Sequence, residues 1–273
     1  MAREQMNYDL LIVGAGPAGL SAAIRFKQLD AEKTVAVIEK GSEVGAHILS
    51  GAVFEPHALN ELIPNWKELG APLLTEAKKD EFLFLTEKSS FKLPTPPQMH
   101  NKGNYIISLG NLTRWLASQA EELGVEIYPG FAGSEVLYNE KNEVIGVATG
   151  DLGRDKDGNP GPDFTEGVEI LAHQTFFAEG ARGSLSEQVI EKFKLREGVE
   201  PQTYGIGLKE IWEISPDKHE AGKVTHSIGW PLSADTYGGS FIYHLENNMV
   251  SVGFVIGLDY QNPHLNTFEE FQR

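Results

Sequence analysis

Apolar positions along the chain fall into short bursts at two spacings, and their order predicts the architecture. Leu10-Leu11-Ile12-Val13 is a short run with β-branched residues at its end, which reads as a parallel strand buried on both faces. A helical stretch to Leu29 follows, then a second strand, Thr34-Val35-Ala36-Val37-Ile38-Glu39. Far downstream, Leu112, Trp115, Leu116, Ala120 and Leu123 recur at helical spacing, with Gly124 as the C-cap. Val125-Glu126-Ile127-Tyr128 is the strand after it. A strand-helix-strand pattern that resumes after a long gap predicts a dinucleotide fold split by an insertion.

Between those halves, a helix is expected over residues 57–69, with Leu59, Leu62 and Ile63 on one face and Pro64 bending or interrupting it. Strands are expected over 82–85, 91–93 and 104–108, the second and third separated by the stiff connector Pro94-Thr95-Pro96-Pro97. After the second half come a hairpin of 135–137 and 144–149 and an exposed loop over 151–163, rich in Gly, Asp and Pro. Strands at 169–172 and 174–177 lead into a helix from Ser184 to about Phe193. From Gln202 the spacing becomes alternating and glycine-punctuated: 204–208, 210–214, 224–230, 240–245 and 250–256 read as a mostly antiparallel sheet. The expected organisation is a cofactor domain over 1–200 with an insertion around 46–105, and an antiparallel domain over 201–273.

Composition narrows the function classes. The chain has 273 residues and a formal net charge of −16, which argues against nucleic-acid binding and against adsorption to anionic lipid by charge. Any membrane contact must then be apolar. The absence of cysteine excludes disulfides, thiolate catalysis and Cys-ligated iron–sulfur clusters within this chain. The first strand starts so close to the N-terminus that no transit or signal peptide is expected. No run of about 18 apolar residues occurs, so no spanning helix is expected.

The chemistry is carried by glycines. Gly14-Ala15-Gly16-Pro17-Ala18-Gly19 fits G-x-G-x-x-G between a strand and a helix. Gly14 permits the tight turn, Gly16 lets backbone approach a pyrophosphate, and Gly19 lets the helix sit close on the sheet. The helix start offers free N–H groups and the positive end of its dipole. Glu39, at the end of the second strand, is placed to bond a ribose 2′-hydroxyl. The motif alone does not separate FAD from NAD. Lys40 and the glycines at 41, 45 and 51 follow, suited to backbone pressed against something flat, or to a flexible loop. Glu179-Gly180, with Arg182 and the hydroxyl of Ser184 as helix cap, forms a second strand-to-helix turn and a candidate second cofactor contact. Gly238-Gly239 reads either as a turn or as bare backbone meeting a flat ligand. The apolar stretch from Ile48 to Trp66 reads either as a membrane contact or as packing on the protein's own core. The aspartates at 155, 157 and 163 lack the spacing of a calcium loop.

Together these residues resemble a known family. The order Gly14 to Gly19, Glu39, Gly45-Ala46-His47-Ile48-Leu49-Ser50-Gly51, residues 109–125 and Ala178 to Ser184 resembles the FAD domain of glutathione-reductase-type flavoproteins. Pro201-Gln202-Thr203-Tyr204-Gly205-Ile206-Gly207-Leu208-Lys209-Glu210, Gly229-Trp230-Pro231-Leu232, Thr236 to Phe241 and Gly257-Leu258-Asp259-Tyr260-Gln261-Asn262-Pro263 are similar to electron-transfer-flavoprotein:ubiquinone oxidoreductases. The resemblance implies an α/β fold, a Rossmann-like FAD-binding domain with an inserted or appended, mostly antiparallel quinone-binding sheet domain. It implies FAD held by Gly14, Gly16, Pro17, Ala18, Gly19, Glu39, Lys40, Gly45, Ser50, Gly51, Glu179 and Gly180, and quinone at Gly238 and Gly239. It implies electron-transfer flavoprotein and ubiquinone as partners, and a monotopic membrane contact around Gly45–Asn65. With no transit peptide seen, the expected location is the cytoplasmic face of a bacterial inner membrane. The family also carries a four-iron, four-sulfur cluster, for which this chain has no cysteine ligands. The chain ends at Arg273, about half-way through the family's length, so it reads as an N-terminal part, expected to be inactive as an isolated fragment. Alternatives on the same fold are a geranylgeranyl-reductase-like or monooxygenase-type flavoprotein, or a cofactor-binding remnant without turnover.

Overall fold

A computed structural model describes residues 3–49 and 51–273. The first part of the chain forms β1 (Gln5–Val13), α1 (Pro17–Leu29), β2 (Val35–Glu39), β3 (Gly51–Phe54), α2 (His57–Leu62), β4 (Thr75–Glu76), β5 (Lys79–Leu85), β6 (Ser90–Leu93) and β7 (Tyr105–Ser108). The middle forms α3 (Leu109–Glu122), β8 (Glu126–Pro129), β9 (Gly133–Tyr138), β10 (Val144–Thr149), β11 (Leu152–Arg154), β12 (Pro160–Thr165), β13 (Glu169–Phe177) and α4 (Ser184–Lys192). The last part forms β14 (Gly205–Glu213), β15 (Lys223–Gly229), β16 (Gly238–His244), β17 (Met249–Gly257) and α5 (Thr267–Gln272). These elements divide into two compact units, each built from two chain segments: Met1–Ile48 with Gly110–Val199, and Leu49–Leu109 with Glu200–Arg273.

The first unit holds a six-stranded sheet in the order β8-β2-β1-β13-β10-β9. β8, β2, β1 and β13 are parallel, and β10 and β9 add antiparallel strands. The run at Leu10 to Val13 is buried on both faces, as its unbroken apolar character requires. Leu11, Val13, Ala36, Ile38, Val136, Val147, Ile170 and Leu185 form one core cluster. Each buried Leu, Ile or Val there contributes roughly 1.5–3 kcal/mol. α1 buries Gly19, Leu20, Ala23, Ile24 and Lys27, a stripe at helical spacing. Lys27 is tolerated in that stripe because its ammonium reaches past the end of α1 and donates to Lys33 O at 2.9 Å.

The second unit holds a six-stranded sheet, β14-β17-β16-β15-β5-β6, and a small sheet, β3-β7-β4. Every pairing in the larger sheet is antiparallel except β15 with β5. Ala77, Ile106, Val224, Tyr243 and Leu245 form its core cluster. The segment expected as an insertion therefore does not stand alone: β5 pairs with β15 over seven residues, and β6 follows on β5.

Several elements differ from the expectation. The helix begun at His57 stops at Leu62, because Pro64 cannot donate to the next turn. The two short strands at 169–177 are one, as are those at 204–214. The loop at 151–163 contains the ribbon of β11 and β12. β3 and β4 carry no strong alternation and were not expected.

Candidate functional site

The turn from β1 into α1 has the geometry its glycines predict. Gly14 sits at φ +106°, and a methyl there would lie 2.5 Å from Ala178 O, so only glycine fits. A methyl on Gly19 would lie 2.1 Å from Gly14 O, which is the close helix–strand approach in atomic terms. Gly16 is different. It has φ −77° and ψ 176°, caps α1 without a side-chain bond, and has nothing within 4 Å of where a methyl would point. Pro17 is the first residue of α1, where its missing N–H costs nothing. The helix start is thus an open cradle lined by backbone amides, with no side chain satisfying them.

Glu39 reaches this cradle. Its carboxylate accepts from Ala15 N at 3.1 Å and from Gly41 N at 2.7 Å, which holds it across the mouth of the turn with lone pairs still free for a hydroxyl. Lys40 is exposed. Gly45 has φ +82°, and a methyl there would lie 2.8 Å from Gly110 O, so this glycine brings its loop against the start of α3. Ser50 lies outside the described residues. Gly51 pairs with Ser108 in the small sheet of the second unit.

The turn after β13 is built differently from the expectation. Gly183, not Ser184, is the cap residue of α4 and makes no side-chain bond. Glu179 replaces it: its carboxylate accepts from Leu185 N at 3.2 Å and from Ser186 N at 2.6 Å. An acid six residues upstream does the work of a local hydroxyl because Gly183 leaves it room; a methyl there would lie 2.4 Å from Glu179 Cβ. Gly180, at φ +81°, has open space on its methyl side.

In the second unit, Gly238 and Gly239 lie inside β16, paired with Ile256 and Val255. They are not a turn. Methyls there would lie 2.4 Å from Val255 O and 2.4 Å from Ser227 O respectively, so the sheet itself demands both glycines. Gly239 belongs to a cross-strand row of one face. Phe91 pairs with Phe84, Phe84 with Ile228, Gly239 with Val255, and Val255 with Gly207, and Gly239 lies 3.7 Å, methyl to methyl, from Ile228. Phe84, Phe91, Ile228 and Val255 are all exposed. Gly239 also borders a cleft of about 160 Å³ with Trp230, Pro231 and Phe271, below the roughly 300–1,000 Å³ of small-molecule pockets.

The stretch around Gly45–Asn65 offers less apolar surface. Leu59 and Ile63 are buried, as is Trp66 just beyond, and Leu49 is the exposed large residue. Ile48, Val53, Phe54 and Leu62 are half-buried. No helix among the described residues is long and apolar enough to cross a membrane.

A parallel sheet, an open glycine cradle and an acid across it define a dinucleotide-binding, Rossmann-like fold. Residues 12–71 match the NAD(P)-binding Rossmann-like domain, and residues 204–273 match the domain described as ETF-QO, ubiquinone-binding. Among solved structures, a geranylgeranyl bacteriochlorophyll reductase-like protein from Thermoplasma acidophilum superposes with a TM-score of 0.68 at 17% identity, over 98% of this chain and 61% of that one. A flavoprotein/dehydrogenase from Cytophaga hutchinsonii gives 0.63 at 20%, over 98% and 60%. At those identities they speak to the fold alone. Sequence is more specific. The chain is 60% identical to electron transfer flavoprotein-ubiquinone oxidoreductase, mitochondrial, of Dictyostelium discoideum, over 99% of this chain and 45% of that protein. It is 59% identical to the protein of that name from Pseudomonas aeruginosa, over 100% and 51%. The chain is similar over its whole length to electron transfer flavoprotein-ubiquinone oxidoreductases, and it spans about half the length of the curated relatives it matches.

Proposed function

We propose that this chain is the FAD-holding and quinone-facing part of an enzyme that passes electrons from reduced electron-transfer flavoprotein to ubiquinone. The observation that carries the reading is the start of α1 at Gly16, which no side chain caps, with Glu39 bonded to Ala15 N beside it. FAD, when bound, supplies chemistry in one- and two-electron steps, which suits a protein donor and a quinone acceptor. The chain's own residues bind and orient. The first-turn amides of α1 take the pyrophosphate, Glu39 takes a ribose hydroxyl, and Gly45 and Gly180 are places where backbone can approach the cofactor closely; the family resemblance adds Ser50 and Gly51. Lys40 is a peripheral contact at most, and Glu179 acts by holding α4. No side chain of this chain is assigned an acid–base step.

For the quinone, the exposed row through Gly239 supports a path along bare, apolar sheet, with Gly238 keeping the strand flat beside it. The same row supports membrane contact. Phe84, Phe91 and Ile228 present adjacent apolar surface, whereas in residues 45–65 Leu49 is the exposed large apolar residue. A protein of net charge −16 must meet anionic lipid by apolar insertion. Phe84→Asp with Phe91→Asp should release the protein from liposomes, and Leu49→Asp should not; the opposite pattern returns the contact to residues 45–65.

The test of the function is flavin retention followed by turnover. The chain mixed with FAD and desalted should keep flavin absorbance; a colourless protein would remove the cofactor reading. Quinone reduction with reduced electron-transfer flavoprotein as donor, without NADPH consumption, separates this reading from a monooxygenase-type one. Retained flavin with neither activity leaves a cofactor-binding fragment.

A further inference from the structure

On the same face of the larger sheet as Gly239, the edge strand β14 presents Gly205, Gly207 and Lys209 in alternation. Gly207 has only a Val255 methyl within 4 Å of its own methyl position, so this part of the strand is bare backbone. Lys209 stands at its end. Among the described residues its ammonium has no ion pair and no hydrogen bond, and burial pushes its pKa down with no carboxylate raising it again. On the neighbouring strand, Ser251 pairs with Ile211, one step along from Lys209, and so shares that face. Ser251 is 1% exposed, and its hydroxyl has no hydrogen-bond partner. Both groups converge on Gly51. A methyl on Gly51 would lie 3.1 Å from Ser251 Oγ and 3.5 Å from Lys209 Nζ.

A half-buried cation without a counter-ion and a buried, unpaired hydroxyl each cost stability. Two such costs at one spot, beside bare backbone, are the mark of donors waiting for an acceptor. We infer that Lys209 and Ser251 form a donor pair for the carbonyl oxygen of a flat redox ring lying over Gly205 and Gly207. The ring chemistry is shared by the pyrimidine-dione end of a flavin and the head of a quinone. Both gain electron density on oxygen when reduced, so an ammonium beside that oxygen favours the reduced form. A sulfate-like anion fits less well, because one ammonium and one hydroxyl on a flat strand do not surround it. Lys209 and Ser251 are positioning residues by this account, and the assignment rests on the flavin and quinone reading above.

The test uses the chain with Lys209→Met, Lys209→Arg and Ser251→Ala, titrated separately with FAD and with a short-tailed ubiquinone. Without ligand, Lys209→Met and Ser251→Ala should melt at or above the parent temperature, since each removes an unpaired polar group. With ligand, each should weaken binding about tenfold or more, and Lys209→Arg should restore most of it. Where FAD is retained, Lys209→Met should also lower its reduction potential. Weakening confined to the FAD titration assigns the ring to the flavin; weakening confined to the quinone titration assigns it to the quinone. Wild-type-like affinity in Lys209→Met for both rings would overturn the inference and leave the function reading standing. A parent chain that binds neither ring would overturn both.

Discussion

Gly16→Ala should separate cofactor binding from folding, because Gly16 is the one fingerprint glycine that the fold does not require. Its φ of −77° and ψ of 176° are open to alanine, and nothing lies within 4 Å of the added methyl. In the free chain the substitution should therefore be neutral or stabilising by about 0.4–1 kcal/mol, through reduced freedom of the unfolded chain. The methyl instead occupies the space where a pyrophosphate must approach the amides of α1. Losing one charge-assisted hydrogen bond costs roughly 1.5–3 kcal/mol, and about 1.4 kcal/mol is tenfold in affinity. FAD should thus bind about 10- to 100-fold more weakly. The assay is urea unfolding of parent and variant without FAD, then a fluorescence titration with FAD. The control is Gly19→Ala, whose methyl would lie 2.1 Å from Gly14 O and should cost about 1–3 kcal/mol or more in the free chain. An unchanged FAD affinity in Gly16→Ala would refute the cradle, and so would a Gly16→Ala chain as unstable as Gly19→Ala.

Other outcomes follow from the same geometry. Glu179→Ala should cost about 1–2 kcal/mol by uncapping α4, and Glu179→Gln less, read by thermal unfolding. Gly253→Ala would put a methyl 2.1 Å from the ring of Phe241, which stacks on Tyr243 with centroids 4.4 Å apart. It should cost about 1–3 kcal/mol alone and much less in a Phe241→Leu background, a coupling that a double-mutant cycle measures. Burial holds the pKa values of His226 and His244 below the ordinary value, and His244 Nδ1 accepts from Glu220 N at 3.1 Å. The unfolded chain binds these protons first as pH falls. The stability they support is present above about pH 6.5 and lost as pH falls from there through their lower folded-state values. The urea midpoint should drop across that window, and His244→Gln, which can still accept the amide, should flatten the drop.

The sequence by itself determined the elements whose residues act on near neighbours. The β1-α1-β2 unit was legible because tight turn, helix approach and strand burial are local demands that glycine and β-branched residues meet directly. The stripe of α3 and the alternation after Gln202 were legible for the same reason, since their periods are properties of single elements. Longer phrases carried the family resemblance, being more specific than a glycine motif. Tertiary structure alone decided which segments share a sheet. The pairing of β5 with β15 joins residues far apart in the chain, and no local pattern records a partner strand. It also decided what each glycine is for: Gly238 and Gly239 are required by carbonyls of neighbouring strands, while Gly16 faces open space. Glu179, expected as a cofactor contact, also caps α4, and only the sheet sets Ser251 and Gly51 beside Lys209. Hydrogen-bond partners and counter-ions are matters of three-dimensional neighbourhood, so an unpaired buried group has no signature in the chain that carries it.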